Sequence, residues 1–135
     1  MAYLLDTNIF IAALQGQAAV RARLERIAAS EILLSPIVLG ELELGVEKSA
    51  QRQRNRERLA AVVAGLRVVP LDATVSHRYG LVRAELERMG TPIGANDLWI
   101  AAHALALNAV LVTDNEREFG RLEHLQIENW LRPDE

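Results

Sequence analysis

Short apolar runs alternate with helix-like stretches along almost the whole chain, and few folds accommodate that pattern. Tyr3-Leu4-Leu5, Ile32-Leu33-Leu34, Arg67 to Leu71 and Val110 to Thr113 each read as a short strand, with Leu125 to Glu128 as a fifth at an edge. Between them apolar residues recur at intervals of three and four. Ile9 to Leu14 is a short helix stopped by Gly16, and Val20, Leu24 and Ile27 mark a helix over 17–29. Pro36, tolerated in a first turn, opens a helix that runs to about Lys48. Gln51 to Arg58 has almost no apolar content, and Leu59, Val62, Val63 and Leu66 then supply a stripe to the same helix. Asp72 caps a helix carrying Val75, Tyr79, Val82 and Leu86; a loop over Gly90 to Gly94 leads to a strongly apolar helix over 96–107, and Asn115 to Phe119 is short and helical. Parallel strands need crossovers of this kind, and parallel sheets are covered on both faces. The expected class is α/β in three layers, with a mostly parallel central sheet between helices.

The chain has 135 residues, half of them hydrophobic, enough for one domain with a real core. The absence of cysteine removes disulfides, thiolate metal sites and thiol catalysis. The start, Met-Ala-Tyr-Leu-Leu-Asp, lacks the basic region of a signal peptide, and no apolar run reaches the ~18 residues of a membrane span, so the cytoplasm is the default location. A net charge of -3 argues against tight nonspecific duplex binding. It leaves room for a nuclease whose acids hold metal and whose arginines lie elsewhere.

Four acids fall where strands give way to helices. Asp6 follows the first strand, Glu41 lies one turn into the helix after the second, Asp97 opens the helix to Leu107, and Asp114 follows the fourth strand. Each alone has a plainer reading, as a helix cap, a solvated helix position or a turn former. Together they lie at the carboxyl edge of a parallel sheet, where open α/β sheets bind ligands. Carboxylates converging there repel one another and call for a hard cation. Mg²⁺, with Mn²⁺ as a substitute, suits an all-oxygen set and acts mostly on phosphates. Thr7, Asn8, Thr113 and Asn115 are short polar residues able to support the carboxylates. None of His77, His103 and His124 is positioned as a general base, which leaves water activated by the cation as the nucleophile.

The motifs Leu5-Asp6-Thr7-Asn8, Ser35-Pro36-Ile37-Val38-Leu39-Gly40-Glu41-Leu42 with Gly45, and Pro92-Ile93-Gly94-Ala95-Asn96-Asp97-Leu98-Trp99-Ile100-Ala101-Ala102 resemble those of PIN-domain nucleases. So do Val112-Thr113-Asp114-Asn115 with Glu118-Phe119, and the closing Ile127-Glu128-Asn129-Trp130. Within that family the chain is similar to VapC-type toxins of toxin–antitoxin pairs. The resemblance implies a single PIN-like nuclease domain over 1–135 with Asp6, Glu41 and Asp97 as acidic core and Thr113 as the hydroxyl beside it. The fourth position is open: many members carry an Asp where this chain has Asn115, and others an acid directly after the Thr, as Asp114 is here. One or two metal ions fit that pattern. The resemblance further implies an endoribonuclease acting on transfer, ribosomal or messenger RNA, a homodimer, and an inhibitory antitoxin.

Other acid-bearing α/β sites fit less well. A receiver-type phosphoacceptor needs a lysine late in the chain, and the sole lysine is Lys48; a haloacid-dehalogenase-like phosphatase needs a second acid two residues after Asp6, where Asn8 stands. A PIN-type nuclease of RNA processing without an antitoxin, and a non-catalytic scaffold of the same fold, remain as alternatives. Arg52, Arg54, Arg56 and Arg58 form either a solvated helical arm or a basic rim for substrate or a partner's acids.

Overall fold

The computed structural model describes residues 1–132, and its five strands form one sheet in the order β3-β2-β1-β4-β5 with every pair parallel. The strands are β1 (Tyr3–Leu5), β2 (Ile32–Leu34), β3 (Arg67–Val68), β4 (Val110–Val112) and β5 (Ile127–Glu128). The helices are α1 (Thr7–Leu14), α2 (Ala18–Leu24), α3 (Pro36–Lys48), α4 (Arg52–Ala64), α5 (Ala73–Arg88), α6 (Ala95–Ala106) and α7 (Glu116–Phe119). The expected three-layer α/β class is the one observed. β2 and β4 are buried at every residue, as strands covered on both faces require, whereas β3 and β5 close the edges with two residues each.

Several expected elements are shorter than the pattern suggested: the fourth strand ends at Val112 and the fifth comprises Ile127–Glu128 alone. The helix expected over 17–29 ends at Leu24, because Arg26 N and Ile27 N donate to carbonyls three residues back and the chain tightens into a turn before a 3₁₀ segment, Ala29–Glu31. The strand expected from Arg67 to Leu71 pairs only through Val68; Val69 N still donates to Leu34 O, but Pro70 has no N–H to continue the ladder.

The chain runs from β1 outward to β3, then returns through α5 and α6 to add β4 on the other side of β1. The topological switch therefore lies between β1 and β4, whose carboxyl ends are in register at Leu5 and Val112. α6 is apolar around most of its girth, burying Leu98, Ile100, Ala101, Ala102, His103 and Ala104. Its small alanines permit close approach of α5, and Tyr79 of α5 stacks on Trp99 at 3.9 Å between ring centroids. Gly90, at φ 70°, ends α5: Gly90 N donates to Glu87 O and Thr91 N to Leu86 O, a left-handed stop that turns the chain toward the start of α6. Trp130 is fully buried against Tyr3 and secures the last described turn. No helix among the described residues is long and apolar enough to cross a membrane.

Candidate active site

Asp6 is the first residue beyond β1 and the N-cap of α1, so its position is fixed by both elements. Only 7% of it is exposed. One carboxylate oxygen accepts from Thr7 N at 2.8 Å, and the other from the Thr113 hydroxyl at 2.8 Å. Thr113 is the first residue beyond β4, so this bond joins the two strand ends at the switch. The same Thr113 oxygen accepts from Asn115 N at 2.9 Å, which orients the hydroxyl toward Asp6. Burial nevertheless raises the Asp6 pKa above its ordinary value, opposed by the bonds from Thr113 and Thr7.

Glu41 reaches the same edge from α3, which starts where Ser35 caps Ile37 N and Pro36 fixes the first turn. The Thr7 hydroxyl donates to one Glu41 oxygen at 3.0 Å. Thr7 thus links two acids, with its amide on Asp6 and its hydroxyl on Glu41. Asp97 lies in the first turn of α6 behind Gly94, which supplies no side-chain cap. Its pKa is raised from 3.8 to about 7, first by burial, then by a hydrogen bond with Glu118, then by the charges of Asp6, Glu118 and Glu41. A helix N-terminus favours a carboxylate by only ~0.3–1 kcal/mol, so here burial and like charge win.

Asp6 and Glu41 thus both act on Asp97, and Thr7 bridges Asp6 and Glu41, so the structure brings these three acids to one edge. Asp114 does not join them. It is exposed, its carboxylate accepts from Asn129 Nδ2 at 2.9 Å, and it is not among the groups that act on Asp97. The fourth acid in the crevice is Glu118 of α7, held by a hydrogen bond from Asn115 Nδ2. In the sequence Glu118 lies in the motif that runs to Phe119, with no role of its own assigned above. The available signal was its spacing: three residues beyond Asn115, it falls on the helix face that Asn115 begins. Thr7, Thr113 and Asn115 each support an acid, whereas Asn8 is exposed with no partner among the described residues. None of the three histidines acts on Asp97, and His103 is sealed in the core.

Among the described residues no lysine or arginine pairs with Asp6, Glu41, Asp97 or Glu118. The crevice is thus an uncompensated set of oxygen donors. No three of the described acids and histidines close tightly enough to cage an ion unaided. Carboxylate oxygens are nevertheless the donor type Mg²⁺ takes, one or two at a time with several waters retained.

The PIN domain model matches residues 3–125. Ribonuclease VapC2 of Rickettsia felis is 42% identical over 132 residues, covering 96% of this chain and 98% of that protein. The tRNA(fMet)-specific endonuclease VapC of Shigella flexneri is 37% identical over 129 residues, covering 95% and 97%. The crystal structure of VapBC2 from Rickettsia felis, bound to a DNA fragment from their promoter, contains a chain that superposes with a TM-score of 0.90 at 41% identity, covering 96% of this chain and 99% of that one. A parallel sheet with acids gathered at its β1/β4 switch, and identity over nearly the full length, place this chain in the PIN-domain family and, within it, among the VapC-type proteins.

Proposed function

We propose that the chain is a divalent-metal-dependent endoribonuclease, a toxin held in check by a small antitoxin, working in the cytoplasm as one domain. The observation that carries this reading is the gathering of Asp6, Glu41 and Glu118 about the Asp97 carboxyl, which is raised to about 7 and, among the described residues, pairs with no lysine or arginine. Asp6 and Asp97 are the residues to hold Mg²⁺, or Mn²⁺ in its place, with Glu41 and Glu118 at the rim. When bound, the cation would supply charge neutralisation at a phosphodiester and lower the pKa of water. The chain's own residues do the rest. Thr113 and the Thr7 amide fix both Asp6 oxygens, and the Thr7 hydroxyl occupies one Glu41 oxygen. The second Glu41 oxygen is left to take the proton of an attacking water.

Cleavage of RNA in Mg²⁺, loss of cleavage in excess chelator and its return with Mn²⁺ test the assignment. Asp6→Asn should lose most activity with its fold retained. Cleavage undiminished in chelator would remove the metal from the proposal.

The antitoxin rests on the VapBC complex among the structural relatives and on an apolar cavity of about 420 Å³ between α1, α2, α4 and β2, walled by Phe10, Leu14, Leu24, Ile27, Val62 and Leu66. An amphipathic segment of the partner fits such a groove. Co-expression with the adjacent small reading frame should yield a complex of low nuclease activity, and a free homodimer should be seen by light scattering. A strictly monomeric chain with no co-purifying partner would favour a nuclease of RNA processing instead.

A further inference from the structure

The four arginines of the first half of α4 are not equivalent. Arg52 pairs with Glu47, and Arg56 with Glu43 and Glu47, all on α3; Arg54 bonds to Gln51. Arg58 has no partner among the described residues. At a helical repeat of 3.6, Arg52 and Arg56 share the flank of α4 that meets the end of α3. Arg58 projects from the other flank, with Asn55 three residues before it. That flank faces a cleft of about 280 Å³ between α1, α3 and α4, and the cleft is also lined by Glu41. Its floor is apolar, with Leu14, Leu42 and Leu59. Two further polar side chains at its wall, Gln15 and Asn55, likewise have no partner among the described residues.

We propose that this cleft is the subsite for the nucleotide next to the scissile bond, and that Arg58 binds its phosphate. The inference rests on the nuclease reading above and adds where the RNA strand leaves the acids. Four observations support it. The cleft is continuous with the acid cluster through Glu41, which belongs to both. Arg58 is the one guanidinium of the four not already engaged, and a guanidinium fork matches a phosphate. The crevice beside it is strongly negative, so a polyanion needs a compensating cation close to the acids to enter at all. The unpartnered amides of Gln15 and Asn55 are donors and acceptors for a sugar or base edge over the apolar floor.

The test compares Arg58→Gln with Arg54→Gln, an exposed control one turn earlier on α4. Binding of a short fluorescein-labelled single-stranded RNA of mixed sequence is followed by anisotropy across a salt series, and cleavage kinetics are measured in Mg²⁺. Arg58→Gln should weaken binding about tenfold, equivalent to about 1.4 kcal/mol. The slope of log K against log salt should become shallower by about 0.7, the value of one phosphate contact on a single strand. KM should rise with kcat changed less, and Arg54→Gln should alter binding by less than about twofold. Unchanged binding and KM in Arg58→Gln would overturn the subsite, as would an equal loss in Arg54→Gln, which would mean a diffuse field and no contact. Unchanged RNA binding together with lost affinity for the co-expressed partner protein would also overturn it, since the cleft would then serve that protein. If the parent neither binds nor cleaves RNA, the nuclease reading fails and the subsite with it. A parent that cleaves while Arg58→Gln behaves as parent overturns the subsite alone.

Discussion

Replacing Asp97 with Asn should stabilise the metal-free protein at neutral pH, a sign opposite to that of most single substitutions. The Asp97 carboxyl is raised from 3.8 to about 7 in the folded state, and in the unfolded chain it returns to the ordinary value. The folded protein therefore keeps a proton that the unfolded chain has already lost. Ionising Asp97 costs nothing to stability below about pH 4, costs progressively more from there to about pH 7, and costs its full amount above. A rise of roughly three units corresponds to at most ~4 kcal/mol, at about 1.36 kcal/mol per unit. Asp97 is only half-buried, so water screens the repulsion and about 1–2 kcal/mol is the expected remainder.

Thermal melts of parent and Asp97→Asn, in chelator and in millimolar Mg²⁺, at pH 4.5 and 7.5, read this directly. In chelator at pH 7.5 the variant should melt higher by about 3–8 °C for a chain of this size, and the gap should narrow at pH 4.5. Mg²⁺ should raise the parent much more than the variant, by about 2.7 kcal/mol where its concentration is 100 times Kd. If Asp97 were a helix-start residue and nothing more, Asn would serve as well and neither pH nor Mg²⁺ would separate the two proteins. Equal melting temperatures in all these conditions would refute the reasoning from clustered carboxylates.

Glu118→Gln should lower the Asp97 pKa toward its ordinary value and reduce RNA cleavage, whereas Asp114→Asn, which keeps an acceptor for Asn129, should change cleavage less than about threefold; a carboxyl NMR titration and initial rates decide between the two acids. Thr113→Val removes the donor on buried Asp6 and the acceptor of Asn115 N, so it should cost about 2–3 kcal/mol in urea unfolding at pH 7.5 and less in acid, where Asp6 is protonated. His103 is sealed in the core, and burial lowers its pKa against the opposing effects of the Asp72 charge and the Pro70 carbonyl. The unfolded chain therefore takes up a proton that the folded chain refuses, so stability should fall as pH drops below about 6.5, and His103→Leu should flatten that part of the urea-midpoint profile.

What could be read from the sequence follows the length scale of the interactions. Three-residue runs such as Ile32-Leu33-Leu34 are legible because a central parallel strand must be apolar at consecutive positions. Asp6, Glu41 and Asp97 were legible because each is tied to a strand end or a helix start. Ile27 kept the helical spacing of Val20 and Leu24, but spacing does not register the change to i→i−3 bonds after Leu24. Pro70 was a visible stop inside a run otherwise suited to a strand. Asp114 and Glu118 differ by the path of four residues. A chain turning at Thr113 through Asn115 points the nearer acid toward Asn129 and returns the farther one to the crevice. No local propensity distinguishes those directions; the docking of α7, through buried Phe119, sets them.

The residues that build the site also build the fold, and this bears on how the two can be separated. Asp6 caps α1 and joins β1 to β4 through Thr113. Thr7 begins α1 and positions Glu41 on α3. The Thr113 hydroxyl and the Thr7 amide offset part of the burial that raises the pKa of Asp6, so substituting Thr113 disturbs packing and electrostatics at once. Asp97 and Glu118 differ, since neither caps its helix, and their mutual interaction opposes ionisation. Stability measured at that pair thus reports acid repulsion with little contribution from capping. A cation that relieved the repulsion would need Asp6, Glu41, Asp97 and Glu118 gathered at one edge. Its effect on unfolding would consequently measure the completeness of the site before any substrate is added.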